Sequence, residues 1–444
     1  MSLVRSVSGI RGLVGSDLHP SNVAAFAETF ARFVEDGKVI CGRDTRQSGV
    51  EFSSIFASVF NFYGIDVIDT GIVPTPTVLY GVSKLDADGG FIITASHNPP
   101  QYNGIKLVSS SGKFLNDKEY RHFTELENNP EHIYSPGGSL IENRDIADMH
   151  INDVLSIDFL DIDMIKKSNL RVVFDGGSGG GSIVIPRLLR ELGVDLYEIN
   201  TNTDGKFRRN PEPVPENLSG LADAVKKHDA DIGLATDGDG DRIAIVSNHR
   251  GPVGEEYTIA LAGDFVMRKK SAGCIVINQS TSAMIEHLGR RNGYKIVRTP
   301  VGEANVVDGI IANNAVIGGE GNGGIILPSV NKTRDALAGS AVILQMLAES
   351  PSTLDEMIDN LPELFMKKLK YPLSDDSVFD SIREIYTDAD FNDADGARYQ
   401  FDEGFIHIRK SGTEPVMRII GEFENEKQWN KQFSRIRGVV ECAE

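Results

Sequence analysis

The stretch "LRVVFDGGSGGGSIVIPRLLRELGVDLYEIN", Leu170 to Asn200, decides how the chain is read. An apolar run ends in a glycine-rich loop, and Ile185, Leu188, Leu189 and Leu192 then recur at the spacing of one helical face. Gly193 closes that helix and a second apolar run follows. Strand, helix and strand in this order make a crossover unit, which belongs to parallel or mixed sheets covered by helices on both faces.

The same plan occurs twice more. It spans "GKVICGRDTRQSG" with "FSSIFASVFNFYGIDVIDTG", and again "GCIVINQSTSAMIEHLGRRNGYKIVRTPVG". Each copy is followed by a second strand–loop–strand whose loop is unusual: "GGFIITASHNPPQYNGIKLV", "ADIGLATDGDGDRIAIV" and "NAVIGGEGNGGIILP". Equivalent strand ends tend to face equivalent crevices, so three such domains are expected to present these loops to a common cleft. Beyond about Phe365 the pattern changes to strand, polar loop, strand and final helix in "FDEGFIHIRKSGTEPVMRIIGEFEN" and "EKQWNKQFSRIRGVV", a small α+β domain. The expected division is 1–155, 156–253, 254–367 and 368–444.

A chain of 444 residues with a formal net charge of −19 is a poor match for the phosphate backbone of a nucleic acid. It has no apolar run near the roughly 20 residues that span a bilayer, and its start lacks the apolar core of a signal peptide. No membrane and a cytoplasmic setting are therefore expected. Cys41, Cys274 and Cys442 lie far apart, with neither metal-ligand spacing nor a disulfide framework.

In "TDGDGDR", Asp237, Asp239 and Asp241 alternate with glycines. Three carboxylates held close repel one another unless a divalent cation lies among them, and an oxygen-only set favours Mg²⁺, Mn²⁺ or Ca²⁺ over zinc. An EF-hand fails, because its glycine and glutamate positions hold Arg242 and Asn248. A solvated acidic turn is the plain alternative. Arg242 stands where it can pair with a phosphate.

"RKSGTEP", Arg409 to Pro415, reads as an anion nest with Arg418 on the next strand, or equally as an ordinary hairpin. "GEGNGG" exposes Glu320 and Asn322 for sugar hydroxyls, or is simply a glycine-rich turn. In "TASHNPP", Ser96 and His97 are neighbours, so they cannot align as a nucleophile and its base, and no G-x-S-x-G elbow surrounds them. A hydroxyl facing a metal loop fits a phosphoryl acceptor and donor better. His97 and Asn98 then support the turn or the proton traffic.

These four loops, in this order and over essentially the whole chain, resemble the α-D-phosphohexomutase superfamily. "SGIRG" with Arg11, "GRDTRQSG", "TGIVPTPT", "PEPVPENL" and "TPVG" add to the likeness. The resemblance implies a heart-shaped architecture of three similar mixed-sheet α/β domains and a hinged C-terminal α+β domain. It implies a phosphohexomutase that interconverts hexose 6-phosphate and hexose 1-phosphate through a phosphoserine and a 1,6-bisphosphate. Ser96 would carry the phosphate, with Mg²⁺ held by Asp237, Asp239, Asp241 and Ser96. Arg11, His97 and Lys106 would line the catalytic centre, Lys106 as a proton shuttle.

By the same resemblance Arg242, Thr299, Gly302, Glu320 and Asn322 would bind substrate. Arg409, Ser411, Gly412, Thr413 and Arg418 would hold the phosphate that is not transferred. A catalytic hexose 1,6-bisphosphate would act as activator, sugar phosphates would be the partners, and the state would be a monomer or homodimer. Many members carry a histidine where Gly324 stands here, which leaves that acid–base role without an owner. Phosphoglucosamine is the favoured substrate, with phosphomannose and phosphoglucose as alternatives and a phosphoserine-dependent sugar phosphatase as the competing class.

Overall fold

The computed structural model describes residues 3–132, 134–270, 273–373, 375–411 and 416–441. The chain forms two compact units: residues 1–258 with 323–355, and residues 259–322 with 356–444.

Two mixed sheets lie in the first unit. One is seven-stranded, in the order Val4–Ser6, Gly9–Leu13, Tyr102–Ser109, Gly89–Ile93, Lys38–Arg43, Asp66–Ile72 and Leu140–Glu142. Gly89–Ile93, Lys38–Arg43, Asp66–Ile72 and Leu140–Glu142 run parallel, and the other three join antiparallel. The helix Gly49–Phe62 supplies the first crossover. Phe56, Phe60 and Phe91 are buried together, with ring centroids 4.7 Å apart for Phe56–Phe91 and 5.6 Å for Phe60–Phe91. Aromatic packing of this kind fixes the strand that delivers the "TASHNPP" loop.

The second sheet runs Gly251–Pro252, Ile243–Ser247, Ile232–Thr236, Arg171–Asp175 and Asp195–Ile199. Its crossover is the helix Gly181–Glu191, as the stretch quoted at the outset predicts. Ile232–Thr236 and Ile243–Ser247 are buried throughout and pair antiparallel, so the six residues between them form a tight hairpin loop on a rigid base.

In the second unit Lys295–Thr299, Cys274–Asn278 and Ile317–Glu320 run parallel, with the helices Met284–Asn292 and Glu303–Asn313 as their crossovers. The C-terminal sheet is antiparallel, in the order Phe365–Pro372, Val416–Phe423, Gly404–Lys410, Ala397–Phe401 and Asp390–Asn392. The helix Glu426–Glu441 covers one face of it through Trp429, Phe433 and Ile436. The α/β class with mixed sheets expected from the sequence is the class the chain adopts, and the C-terminal sheet has three strands beyond the two predicted.

Candidate active site

Ser96 lies just beyond the strand Gly89–Ile93, with φ +50° and a side chain almost wholly buried. A residue other than glycine rarely takes this left-handed backbone, so the surroundings must hold it there. Its N–H donates to Thr94 Oγ1 at 2.9 Å, and Thr94 Oγ1 donates to the buried Asp44 at 2.6 Å.

Two cations reach the same place by strand register. Arg11 lies directly opposite Gly104, and Lys106 follows two residues on, so both side chains leave one face of the sheet. Gly104 permits this, since a Cβ there would lie 2.5 Å from Ile10 O and 2.7 Å from Thr94 O.

The "TDGDGDR" loop packs directly on the serine turn. A Cβ on Gly238 would lie 2.3 Å from Ser96 O, which excludes every other residue type. Ser96 Oγ donates to Asp237 Oδ2 at 3.2 Å. Lys106 Nζ lies 2.5 Å from Asp239 Oδ2 and 3.6 Å from Asp241 Oδ2. Thr75 Oγ1 donates to Asp239 Oδ2 at 2.8 Å, and Arg334 Nη2 to Asp241 Oδ2 at 2.7 Å. Arg242 Nε stands 3.7 Å from both Asp237 and Asp241.

One oxygen from each of the three aspartates falls within 4.8 Å of the others, and all three residues are buried. Burial, with Asp241 and Asp239 alongside, pushes the Asp237 carboxyl well above the usual carboxylate range. Burial opposes the charge on Asp239 too, but Lys106 and the hydrogen bonds around it hold that carboxyl well below the range. Asp239 Oδ1 and Asp241 Oδ1 are buried and take no hydrogen bond from any described residue. Orphaned carboxylate oxygens are costly in a protein interior, and a hard divalent cation is the partner that suits them. The cluster fits a hard divalent cation by this test.

Arg242 Nη2 donates to His97 Nδ1 at 3.1 Å, and His97 Nδ1 lies 3.4 Å from Ser96 Oγ. Burial, with Arg242 and Arg11 close by, brings the imidazole down to about 2. At neutral pH His97 is therefore an uncharged acceptor at Nδ1. Arg11 Nη1 reaches Asn98 Oδ1 at 3.4 Å.

Ser96, His97, Arg11, Lys106, Arg242 and the three aspartates thus gather in the first unit. Other predicted residues belong to the second. Asn278 Nδ2 donates to Glu320 Oε1 at 2.9 Å, and Asn322 Nδ2 stands 3.4 Å from Glu320 Oε2. Lys368 Nζ donates to Gly321 O at 3.3 Å. Thr299 ends its strand, and Gly302, at φ +125°, precedes the helix Glu303–Asn313. Arg409 and Arg418 are direct cross-strand partners, and Arg409 Nε lies 3.3 Å from Asp395 Oδ2. Ser411 N donates to Val416 O at 2.9 Å. Gly412 and Thr413 lie outside the described residues.

Thr75, Arg334, Asp44, Asn278 and Lys368 escaped the sequence reading. Asp44 and Thr75 sit inside "GRDTRQSG" and "TGIVPTPT", where the signal was present but no role followed from it. Arg334 immediately precedes Asp335, whose side chain caps the helix Ala336–Glu349 by accepting from the N–H groups of Leu337 and Ala338. An aspartate before a long apolar helix is a readable start signal, and it locates that arginine at a helix entrance.

Three family profiles match the chain: phosphoglucomutase/phosphomannomutase alpha/beta/alpha domain I over residues 3–130, domain II over 148–251 and domain III over 254–365. A phosphoglucomutase/phosphomannomutase of Thermococcus kodakarensis is 35% identical, covering 95% of this chain and 94% of that protein. A probable phosphoglucosamine mutase of Methanopyrus kandleri is 33% identical, covering 95% and 94%. A crystal structure of a phosphoglucomutase/phosphomannomutase family protein from Burkholderia thailandensis superposes with a TM-score of 0.88 at 25% identity, covering 98% of this chain and 96% of that one. The chain belongs to the phosphoglucomutase/phosphomannomutase family and is a phosphohexomutase, an enzyme of the isomerase class.

Proposed function

We propose that the chain moves phosphate between the 6- and 1-positions of a hexose phosphate by way of Ser96, with phosphoglucosamine as its preferred substrate. The observation that carries this reading is the Ser96 hydroxyl 3.2 Å from Asp237, at the edge of a carboxylate cluster with two orphaned oxygens. Asp237, Asp239, Asp241 and the Ser96 oxygen would hold Mg²⁺, which when bound neutralises charge on the transferring phosphoryl oxygens.

The chain's own residues account for the rest. A sugar hydroxyl attacks the phosphorus on Ser96; its bond to phosphorus forms as the Ser96 Oγ–phosphorus bond breaks, and the hydroxyl proton ends on Oγ. Lys106, paired with Asp239 at 2.5 Å, is suited to carry that proton at Nζ. Arg11 and Arg242 stabilise the charge that spreads over the phosphoryl oxygens in transfer. The same step in reverse, from the other position of the 1,6-bisphosphate, restores the phosphate to Ser96. Glu320 and Asn322 would read the sugar hydroxyls, with Thr299 and Gly302 beside the substrate. Arg409, Ser411, Gly412, Thr413 and Arg418 would grip the other phosphate. On this reading the domains are 1–155, 156–253, 254–367 and 368–444. The preference for glucosamine is supported by the names of relatives such as the Methanopyrus protein.

Phosphorus NMR with Mg²⁺ and catalytic 1,6-bisphosphate tests the proposal. Glucosamine, glucose and mannose 6-phosphates are offered separately. The expected result is a 1-phosphate signal that grows fastest with glucosamine. Free phosphate alone would make the chain a phosphatase, and a faster glucose or mannose reaction would overturn the substrate assignment.

A further inference from the structure

The left-handed serine turn needs something to hold it, and the buried ion pair in "GRDTRQSG" is in contact with both sides of it. Arg46 is 1% exposed, and all five of its guanidinium N–H groups are matched to acceptors. Nε donates to Asp44 Oδ2 at 2.9 Å. Nη2 donates to Ser96 O at 2.9 Å and Asn98 O at 2.7 Å. Nη1 donates to Pro99 O and Tyr102 O, both at 2.8 Å. The ring of Phe207 lies 4.8 Å from the guanidinium carbon and closes off its face.

One planar group thus draws together four carbonyls of the segment that runs from Ser96 to Tyr102. Its partner Asp44 holds the other side of the same residue, accepting from Thr94 Oγ1, which in turn accepts from Ser96 N–H. The Ser96 peptide is gripped at its N–H through Asp44 and at its C=O through Arg46.

We infer that Arg46, braced by Asp44, is the positioning residue that fixes the Ser96 hydroxyl for phosphoryl transfer and so sets turnover rather than substrate affinity. The inference rests on the phosphohexomutase reading of Ser96. Arg46 touches neither Oγ nor the aspartate triad, and it acts only through the backbone of the turn. Its geometry is specific to a guanidinium: lysine carries the same charge but only three donors at a point, and it cannot serve four carbonyls and a carboxylate at once. A displacement of the nucleophile by about 1 Å lowers transfer about 100-fold.

The test is Arg46→Lys in the full chain, with Asp44→Asn as the second variant should the first not fold. Each is checked by thermal melting, then assayed for steady-state turnover with Mg²⁺. Single-turnover phosphorylation of Ser96 from the 1,6-bisphosphate is followed by intact mass. For Arg46→Lys we expect kcat and the single-turnover rate to fall together by about 100-fold, with KM for the sugar 6-phosphate unchanged within threefold. Asp44→Asn should show the same pattern with a fall of about tenfold. A folded variant whose phosphorylation rate stays within twofold of wild type overturns the inference while the function stands, and so does one that loses only KM or only thermal stability. A wild-type chain that takes up no phosphate on Ser96 overturns both readings together.

Discussion

At the scale of single residues the site is a problem in charge placement. Ser96 must be reactive without being mobile, and its φ of +50° is held by hydrogen bonds on both sides of the peptide. Serine and alanine bear a left-handed backbone about equally badly, so Ser96→Ala should melt within a few degrees of wild type while phosphate exchange falls at least about 1000-fold. A variant that still exchanges the sugar's phosphate would remove Ser96 from the chemistry. Asp239 is paired with Lys106 and accepts from Thr75. Asp239→Asn keeps the shape, removes a charge the proposed cation needs and takes away the nearer of the two carboxylates beside Lys106. The Mg²⁺ concentration for half-maximal activity should rise by about tenfold or more, and an unmoved titration would place the metal elsewhere. Ser96 and the three aspartates were legible because each stands in a compact local motif. Arg334 and Thr75 were not: they meet the triad across 93 and 164 positions of sequence, and no local pattern encodes so distant a partner.

At the scale of elements, the three strand–helix–strand units were readable because periodicity is local and each helix buries one face. Placing the helix Ala336–Glu349 is a different matter. Residues 336–347 are all buried, so the helix must be enclosed on every side, and the sequence shows no face to orient it. What orients it is its cap. Asp335 accepts from Leu337 and Ala338, and its Oδ2 lies 2.8 Å from His150 Nε2, on the helix Asp145–Leu155. Burial alone would raise this carboxyl, but His150 and the capping N–H groups hold it below its ordinary range. Its folded value lies below the unfolded one, so the carboxylate stabilises the fold above the ordinary carboxylate range and loses that effect as pH falls through the folded value. Asp335→Asn should cost about 2 kcal/mol at neutral pH, the usual loss when hydrogen bonds to a buried charged group are weakened. In denaturant unfolding the gap between wild type and variant should narrow below about pH 4. A gap that stays constant on acidification would mean that the carboxylate's charge contributes nothing.

At the scale of the whole molecule, the contacts gather the chain into two units, and the chain exchanges one for the other three times. One exchange falls inside "GEGNGG" itself: Glu320 and Asn322 belong to the second unit, and Gly323, whose carbonyl accepts from Ile243 N at 3.0 Å, belongs to the first. Such a division is invisible in sequence because it depends on which core each strand end joins, and glycines carry no apolar side chain to announce it. It has a functional consequence that can be measured. The residues proposed for metal and phosphoryl chemistry lie in one unit, and those proposed for the sugar and the retained phosphate lie in the other. Each ligand should then protect its own unit when offered alone, since a ligand stabilises the conformation it binds in proportion to occupancy, by about 2.7 kcal/mol at 100 times its Kd. Loops show this best, because their amides exchange through local opening and not through global unfolding. In peptide-resolved hydrogen exchange, Mg²⁺ without sugar should slow residues 94–98 and 236–243. Glucosamine 6-phosphate with chelator in place of metal should slow residues 278–281, 318–322 and 404–423. Mg²⁺ that leaves 236–243 unprotected would dismiss the triad as its seat. Sugar phosphate that protects only the serine and triad peptides would mean that its retained phosphate is not gripped by Arg409 and Arg418.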